Sequence, residues 1–374
     1  MPEPVRVTFV SSHAQPGGAE RYLETLVENL GPEWVSGVVC LQDGPFVERL
    51  RRGGVPTEVL ETGPGMFAVV RSALRLRRLL GRERPAVVHA NGIKAALVSV
   101  LATPGTRAPV VWVKHDFSWD GPLARVVSSR CRSVVGVSSA VVETFGQRKA
   151  GGKIHVVHNG LPVTQADRER GRRLVEEVLR VERAAPVVGL VGRLERAKGQ
   201  HELVAVLPEL VRRVPGLHVA LVGPESAAHP EYASELRAAL GRDELAAVVT
   251  FAGFREDALD LISGFDVLVV PTVSDERGFG REGFGYVGLE GFSVGTPVVA
   301  YDDGALREIL GECAVLVPAG DRTALADALV RVLEDDGLRE TLVRCGRKRL
   351  QGRFSVEQMV EAMKERYRAA TQAS

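Results

Sequence analysis

Two carboxylates eight positions apart, Glu282 and Glu290, bracket the run Glu282-Gly283-Phe284-Gly285-Tyr286-Val287-Gly288-Leu289-Glu290. A carboxylate accepts hydrogen bonds from two neighbouring sugar hydroxyls, and the N–H groups of a glycine-rich helix start attract an anion. One short segment therefore has the chemistry to bind a neutral diol and a phosphate. A second run, Gly192-Arg193-Leu194-Glu195-Arg196-Ala197-Lys198-Gly199, follows an apolar strand. Its Arg193 offers a guanidinium fork and its Lys198 a point charge, both suited to phosphate oxygens. In isolation the same loop reads equally as a solvated basic turn. A third run, Gln15-Pro16-Gly17-Gly18-Ala19-Glu20, joins the first strand to the first helix. Gly17 and Gly18 let the backbone approach an anion there, although alone they describe only a flexible turn.

Three other motifs mislead. Gly278-Phe279-Gly280-Arg281-Glu282-Gly283 matches G-x-G-x-x-G, with Asp302 and Asp303 downstream, which taken literally is a nicotinamide dinucleotide fingerprint. The first glycine of that fingerprint turns directly off its strand, whereas here Pro271–Arg277 intervene. Gly291-Phe292-Ser293-Val294-Gly295 matches the hydrolase pattern G-x-S-x-G but closes a helix and feeds a strand, the reverse order, so Gly295 reads as a helix C-cap. His201-Glu202 lacks the second histidine of a zinc motif, and neither a P-loop nor a D-x-D carboxylate pair occurs.

The elements that must position these residues alternate. Strands are expected at Val5–Ser11, Val35–Leu41, Ala86–His89, Val110–Lys114, Val134–Val137 and Ile154–His158. Helical patterns lie between them, among them one at Val69–Leu80 and one at Lys94–Leu101. The strand pattern stops between Gly160 and Ala185, where the charged helical stretch Asp167–Val181 reads as an interdomain connection. It resumes at Val187–Val191, His218–Val222, Val248–Ala252, Val267–Val270, Val298–Ala300 and Ala314–Val317. Short apolar strands between helices imply parallel sheets covered on both faces, and 374 residues suit two such domains. Open parallel sheets bind ligands beyond the carboxyl ends of their strands, so the expected site lies in a central cleft between two facing sheets. Ser355–Ala370 is a separate amphipathic helix capped by Ser355.

Taken together, G-G-A-E near the start, G-R-L-E-R-A-K-G, and E-G-F-G-Y-V-G-L-E followed by G-T-P-V-V-A resemble the GT-B retaining glycosyltransferases of family 4. The resemblance spans nearly the whole chain. It implies an α/β architecture of two Rossmann-like, doubly wound domains facing a central cleft. Residues 1–165 would form the acceptor-side domain, residues 183–352 the nucleotide-sugar domain, and helix 355–374 would pack back on the first. By position, Glu290 would bind the donor ribose, Arg193 and Lys198 the diphosphate, and Glu282 with the backbone of Gly283, Phe284 and Gly285 the transferred hexose. The backbone of Phe254 would meet the nucleobase, Gly17 and Gly18 the donor, and His115, otherwise a surface loop histidine, the donor sugar. The loop Thr272–Arg281 is longer than is usual in the family, and Gly291 replaces its usual alanine.

The activity so implied is metal-independent transfer of a hexose-type sugar from a nucleoside diphosphate sugar, UDP ahead of GDP, to an acceptor hydroxyl in glycan, glycolipid or small-molecule glycoside biosynthesis. Glu282 would orient the sugar while the leaving phosphate oxygen takes the acceptor proton. Two alternatives stay open: an NAD-dependent oxidoreductase using Gly278–Gly283, and a non-catalytic nucleotide-sugar-binding partner.

Composition bounds the partners. A net charge of +1 excludes a global field for nucleic acid, and 41 arginines against seven lysines make an isolated lysine more informative than an arginine. The arginines at 71, 75, 77, 78, 82 and 84 read first as a solvated face and second as a peripheral docking face for anionic membrane, through helix 69–84. Cys40, Cys131, Cys313 and Cys345 form no C-x-x-C pair, which argues against zinc and against a disulfide framework. No leader or membrane-length apolar run is present, so a cytoplasmic protein, peripheral at most, is the expectation.

Overall fold

The computed structural model describes residues 3–146, 152–164, 166–241, 244–274 and 280–372. The chain divides into two compact units, one of residues 1–160 with 354–374 and one of residues 161–353.

In the first unit the described strands are β1 (Val7–Ser11), β2 (Val35–Cys40), β3 (Thr57–Val59), β4 (Val87–Asn91), β5 (Val110–Lys114), β6 (Ser133–Gly136) and β7 (Ile154–Val156). They form one parallel sheet of order β3-β2-β1-β4-β5-β6-β7. β1, β4 and β5 are buried along their whole length, as the continuous apolar runs of a doubly covered sheet require. The helix Gly18–Leu30 lays Tyr22, Leu23, Leu26, Val27 and Leu30 on its buried face. The C-terminal helix Val356–Gln372 packs on it and buries Met359, Met363 and Tyr367. Ser355 caps that last helix by accepting the Gln358 amide at 3.2 Å.

In the second unit β8 (Val187–Val191), β9 (His218–Val222), β10 (Val249–Gly253), β11 (Val267–Val270), β12 (Val298–Asp302) and β13 (Val315–Pro318) form a second parallel sheet. Its order is β10-β9-β8-β11-β12-β13. Its core joins Val188, Leu190, Leu221 and Val269 of the sheet to Leu207 and Leu210 of the helix Gln200–Arg213 and to Leu325 and Leu329 of the helix Arg322–Glu334. Gly295 is the left-handed C-cap of the helix Tyr286–Val294, at φ 79°.

Two expectations need correction. The charged stretch read as an interdomain connection forms a helix, Arg168–Leu179, as its pattern predicts, but it belongs to the second unit and packs on the helix Ala258–Gly264. A Cβ at Gly171 would sit 2.1 Å from Ser263 Oγ, so glycine alone permits that approach. Arg168 and Arg172 both pair with Asp266, which binds the helix to the start of β11. Second, Cys313 and Cys345 form a disulfide across 32 positions, because the turn Gly311–Cys313 lies against the helix Asp336–Arg353. Cys40 and Cys131 are buried free thiols. Among the described residues no helix is long and apolar enough to cross a membrane.

Candidate functional site

In the second unit, the loop after β8 and the loop before the helix Tyr286–Val294 meet. Gly192 follows β8, a 3-10 turn covers Arg196–Lys198, and Gly199 comes next at φ 70°. A Cβ on Gly199 would lie 1.8 Å from the Pro271 carbonyl oxygen, so this glycine lets the lysine loop press against the end of β11. Lys198 Nζ thereby reaches Glu282 Oε2 at 2.9 Å. Glu282 Oε1 accepts the Gly285 amide at 3.2 Å, and its carbonyl oxygen accepts the Ala305 amide at 2.8 Å. The Thr272 hydroxyl donates to Oε2 at 3.4 Å. Burial pushes the Glu282 carboxyl up, but the ammonium of Lys198 and these donors override it and hold the group below the ordinary carboxylate value. Glu282 in turn raises Lys198, more than burial lowers it.

Arg193 is exposed and pairs with Glu195 at 2.9 Å, while its carbonyl oxygen accepts Gln200 Nε2. Gly285 is the left-handed N-cap of the helix Tyr286–Val294 at φ 88°, and Gly283 beside it is buried. Phe284 is 4% exposed and packs edge-on against Tyr286. Glu290 is half-buried on that helix. Phe254, beyond β10, is 61% exposed. Gly278 and Phe279 of the apparent dinucleotide fingerprint lie outside the described residues, and Asp302, its would-be ribose ligand, is held by both Nε and Nη2 of Arg307.

The helix after the lysine loop is anchored by a buried group that pattern reading missed. Glu202, in its first turn, accepts Tyr301 Oη at 2.9 Å and both Arg322 nitrogens, at 2.8 and 3.1 Å. Burial raises this carboxyl, yet Arg322 and Tyr301 bring it below its ordinary value.

In the first unit, Gly17 and Gly18 start the helix Gly18–Leu30, with Gly17 as an extended N-cap. Near that turn His115, just past β5, places Nε2 2.6 Å from Asn91 Oδ1 at the end of β4. The Tyr22 ring meets His115 edge-on at 5.0 Å. Burial lowers the imidazole to about 4, so it is neutral at physiological pH. Behind it, His89 is fully buried, hydrogen-bonded through Nδ1 to Tyr367 Oη at 2.7 Å, and lowered by burial to about 3. Lys114 is buried and pairs with Asp120 at 2.7 Å. Asn91, Lys114 and Glu202 escaped the motif reading; for Asn91 the available signal was a polar residue ending an apolar strand immediately before a glycine. Among the described residues no three His, Cys, Asp or Glu side chains come together as metal ligands.

The structure thus brings together Lys198, Glu282, Gly283 and Gly285 in one unit, and His115 with the glycine loop in the other. Residues 16–165 match the family model Glycosyltransferase Family 4, and residues 185–335 match Glycosyl transferases group 1. The chain is 31% identical to the D-inositol 3-phosphate glycosyltransferase of Kribbella flavida over 91% of its length and 83% of that protein. To the enzyme of that name from Corynebacterium urealyticum it is 30% identical, over 61% of this chain and 54% of that one. Among solved structures it is similar to Anabaena HepE in complex with UDP-glucose, with a TM-score of 0.84, 25% identity, and coverage of 98% of this chain and 100% of HepE.

Proposed function

The chain belongs to the group 1 glycosyltransferases of family 4 and has their GT-B fold, and from that premise we propose that it transfers a hexose-type sugar from a nucleoside diphosphate sugar to an acceptor hydroxyl with retention at the anomeric carbon. The observation that carries the donor class is the Lys198–Glu282 pair, a cation fit for phosphate oxygens bonded at 2.9 Å to a carboxylate fit for sugar hydroxyls. UDP is proposed ahead of GDP because HepE is seen with UDP and with UDP-glucose.

As the donor enters, its phosphate oxygens replace Glu282 as partners of Lys198, and the released carboxylate oxygen accepts a hydroxyl of the hexose. Arg193 adds a second cation, and the N–H groups at the start of the helix Tyr286–Val294 add fixed dipoles. These groups stabilise the charge that develops on the departing diphosphate, which lets the reaction proceed without a metal ion. The acceptor attacks from the face the diphosphate leaves, and a leaving phosphate oxygen takes the acceptor proton. The new glycosidic bond forms as the anomeric C–O bond breaks, with no covalent bond to the protein. Glu290 is assigned to the ribose, the backbone of Phe254 to the nucleobase, and His115, Gly17 and Gly18 to the donor.

The acceptor is assigned to a membrane surface. The helix Met66–Glu83 exposes Met66, Phe67, Val70 and Leu74 along one stripe, with Arg71, Arg75 and Arg78 beside it. Phe67 is 81% exposed. An apolar stripe flanked by arginines suits the interface of an anionic bilayer, the inner face of the cytoplasmic membrane in this reading.

The test is a panel of UDP- and GDP-sugars followed for slow donor hydrolysis by mass spectrometry, with the anomeric configuration of the released sugar read by NMR. Hydrolysis of a UDP-hexose with net retention, undiminished by a chelator, is expected. Inversion, chelator sensitivity or indifference to every nucleotide sugar would each refute the corresponding part.

A further inference from the structure

We propose that Asn91 is a positioning residue for the transfer: it holds the His115 ring with the Nε2 proton committed and the Nδ1 lone pair left to accept a hydroxyl of the donor sugar. This rests on the reading in which His115 meets that sugar.

The assignment follows from a chain of single-valued hydrogen bonds. Asn91 Nδ2 donates to the Ala19 carbonyl oxygen at 3.1 Å. A carbonyl only accepts, so the amide is fixed with Oδ1 toward His115. Oδ1 also only accepts, and His115 Nε2 lies 2.6 Å from it, so the proton of the neutral ring sits on Nε2. Nδ1 is then the unprotonated nitrogen.

Asn91 is itself immobilised. It is 1% exposed, pairs with Val113 across β4 and β5, and its carbonyl oxygen accepts both the amide and the hydroxyl of Ser12, at 3.2 and 2.9 Å. Gly92 follows at φ 93°, where an added Cβ would come 2.8 Å from Ser12 Oγ. Ala19 lies in the first turn of the helix that Gly17 and Gly18 begin, so one amide side chain ties that glycine loop to His115. The Tyr22 ring closes the other side.

The charged and titratable groups around His115 keep it neutral. Burial acts first, Asp116 opposes it and Lys114 reinforces it, all on the same segment. From β4, His89 is uncharged, and burial raises Tyr367 of the C-terminal helix well above its ordinary value, so it stays neutral; the Tyr22 ring lies edge-on to His115.

The test uses the full chain. A long-range ¹H–¹⁵N spectrum, with the His115 signals identified by their loss in His115→Gln, should show protonated Nε2 and bare Nδ1 from pH 5.5 to 8. Asn91→Leu removes both hydrogen bonds at similar volume. Donor hydrolysis should fall about tenfold, the scale of one lost hydrogen bond, while the affinity for UDP, which lacks the sugar, stays within about twofold. Asn91→Asp keeps an acceptor but adds a charge beside the ring, so the acid limb of its pH–rate profile should move to higher pH than in the wild type. A wild-type His115 protonated on Nδ1 overturns the proposal, and so does wild-type hydrolysis by Asn91→Leu. Should that variant not fold, the wild-type spectrum and the Asn91→Asp profile decide. If the wild type hydrolyses no nucleotide sugar, the transferase reading falls and takes this proposal with it.

Discussion

Replacing Lys198 with methionine tests both the electrostatics of the pair and its assigned role. At 2.9 Å and an effective dielectric of about 20, the raw attraction between the two charges is about 6 kcal/mol. The lysine side chain is 36% exposed and the glutamate 16%, so desolvation and screening remove more than half of that. About 2 kcal/mol should remain as a net loss of stability near pH 7, or a drop of about 4–8 °C in the melting midpoint of a unit of this size. The sign of the pH dependence is fixed. In the wild type Glu282 lies below its ordinary value, so the pair contributes above the unfolded carboxylate pKa, and the contribution is lost as pH falls through the folded one. In Lys198→Met burial acts without the ammonium and the carboxyl rises, so the variant gains stability by protonation as pH falls. The midpoint difference between wild type and variant should therefore be largest at pH 7.5 and shrink toward pH 4.5, read by differential scanning fluorimetry across buffers of equal ionic strength. Donor hydrolysis at pH 7.5 should fall about ten- to a hundredfold, the loss of one charged hydrogen bond to phosphate. A midpoint difference independent of pH, or hydrolysis at the wild-type rate, would refute the reasoning.

Two more outcomes follow from features away from that pair. The Cys313–Cys345 disulfide closes a loop across 32 positions, worth about 3–4 kcal/mol by the loop-entropy relation, so Cys345→Ser should lower the second unit's midpoint and should abolish any further drop caused by reductant. Phe67→Asp should abolish sedimentation with anionic vesicles at low salt while leaving donor hydrolysis in solution unchanged; equal sedimentation of the variant would dispose of the bilayer assignment.

The strands were legible because a sheet covered on both faces writes itself as short apolar runs: Val110–Lys114, Val187–Val191, His218–Val222 and Val267–Val270 appear with the bounds the pattern predicts. Thr57–Val59 was not, since a three-residue, half-exposed edge strand carries no such run. The helix Arg168–Leu179 read as a linker because it buries only Gly171, Val175 and Leu179, and what holds it, the pairing of Arg168 and Arg172 with Asp266, spans more than ninety positions. The same limit hid the partners within the site. Motif spacing located Lys198 and Glu282 separately, but their bond joins residues 84 apart, and Asn91 meets His115 across neighbouring strands. Local pattern reports which side chains a loop carries; sheet order and the glycines that let loops touch decide which of them meet.

That distinction bears on how the site would bind its ligand. Without a donor neither cation assigned to the diphosphate is bare: Arg193 is paired with Glu195, and Lys198 with Glu282. In the proposed site, anion binding would be an exchange of partners, its strength set by the difference between phosphate and carboxylate rather than by the number of cations. Inorganic phosphate would gain only one side of that exchange and would leave the largely buried Glu282 without its lysine partner. Bound as proposed, a nucleotide sugar would supply phosphate oxygens to Lys198 and a hydroxyl to Glu282 together, so the pair would reward the whole donor over its anionic fragment.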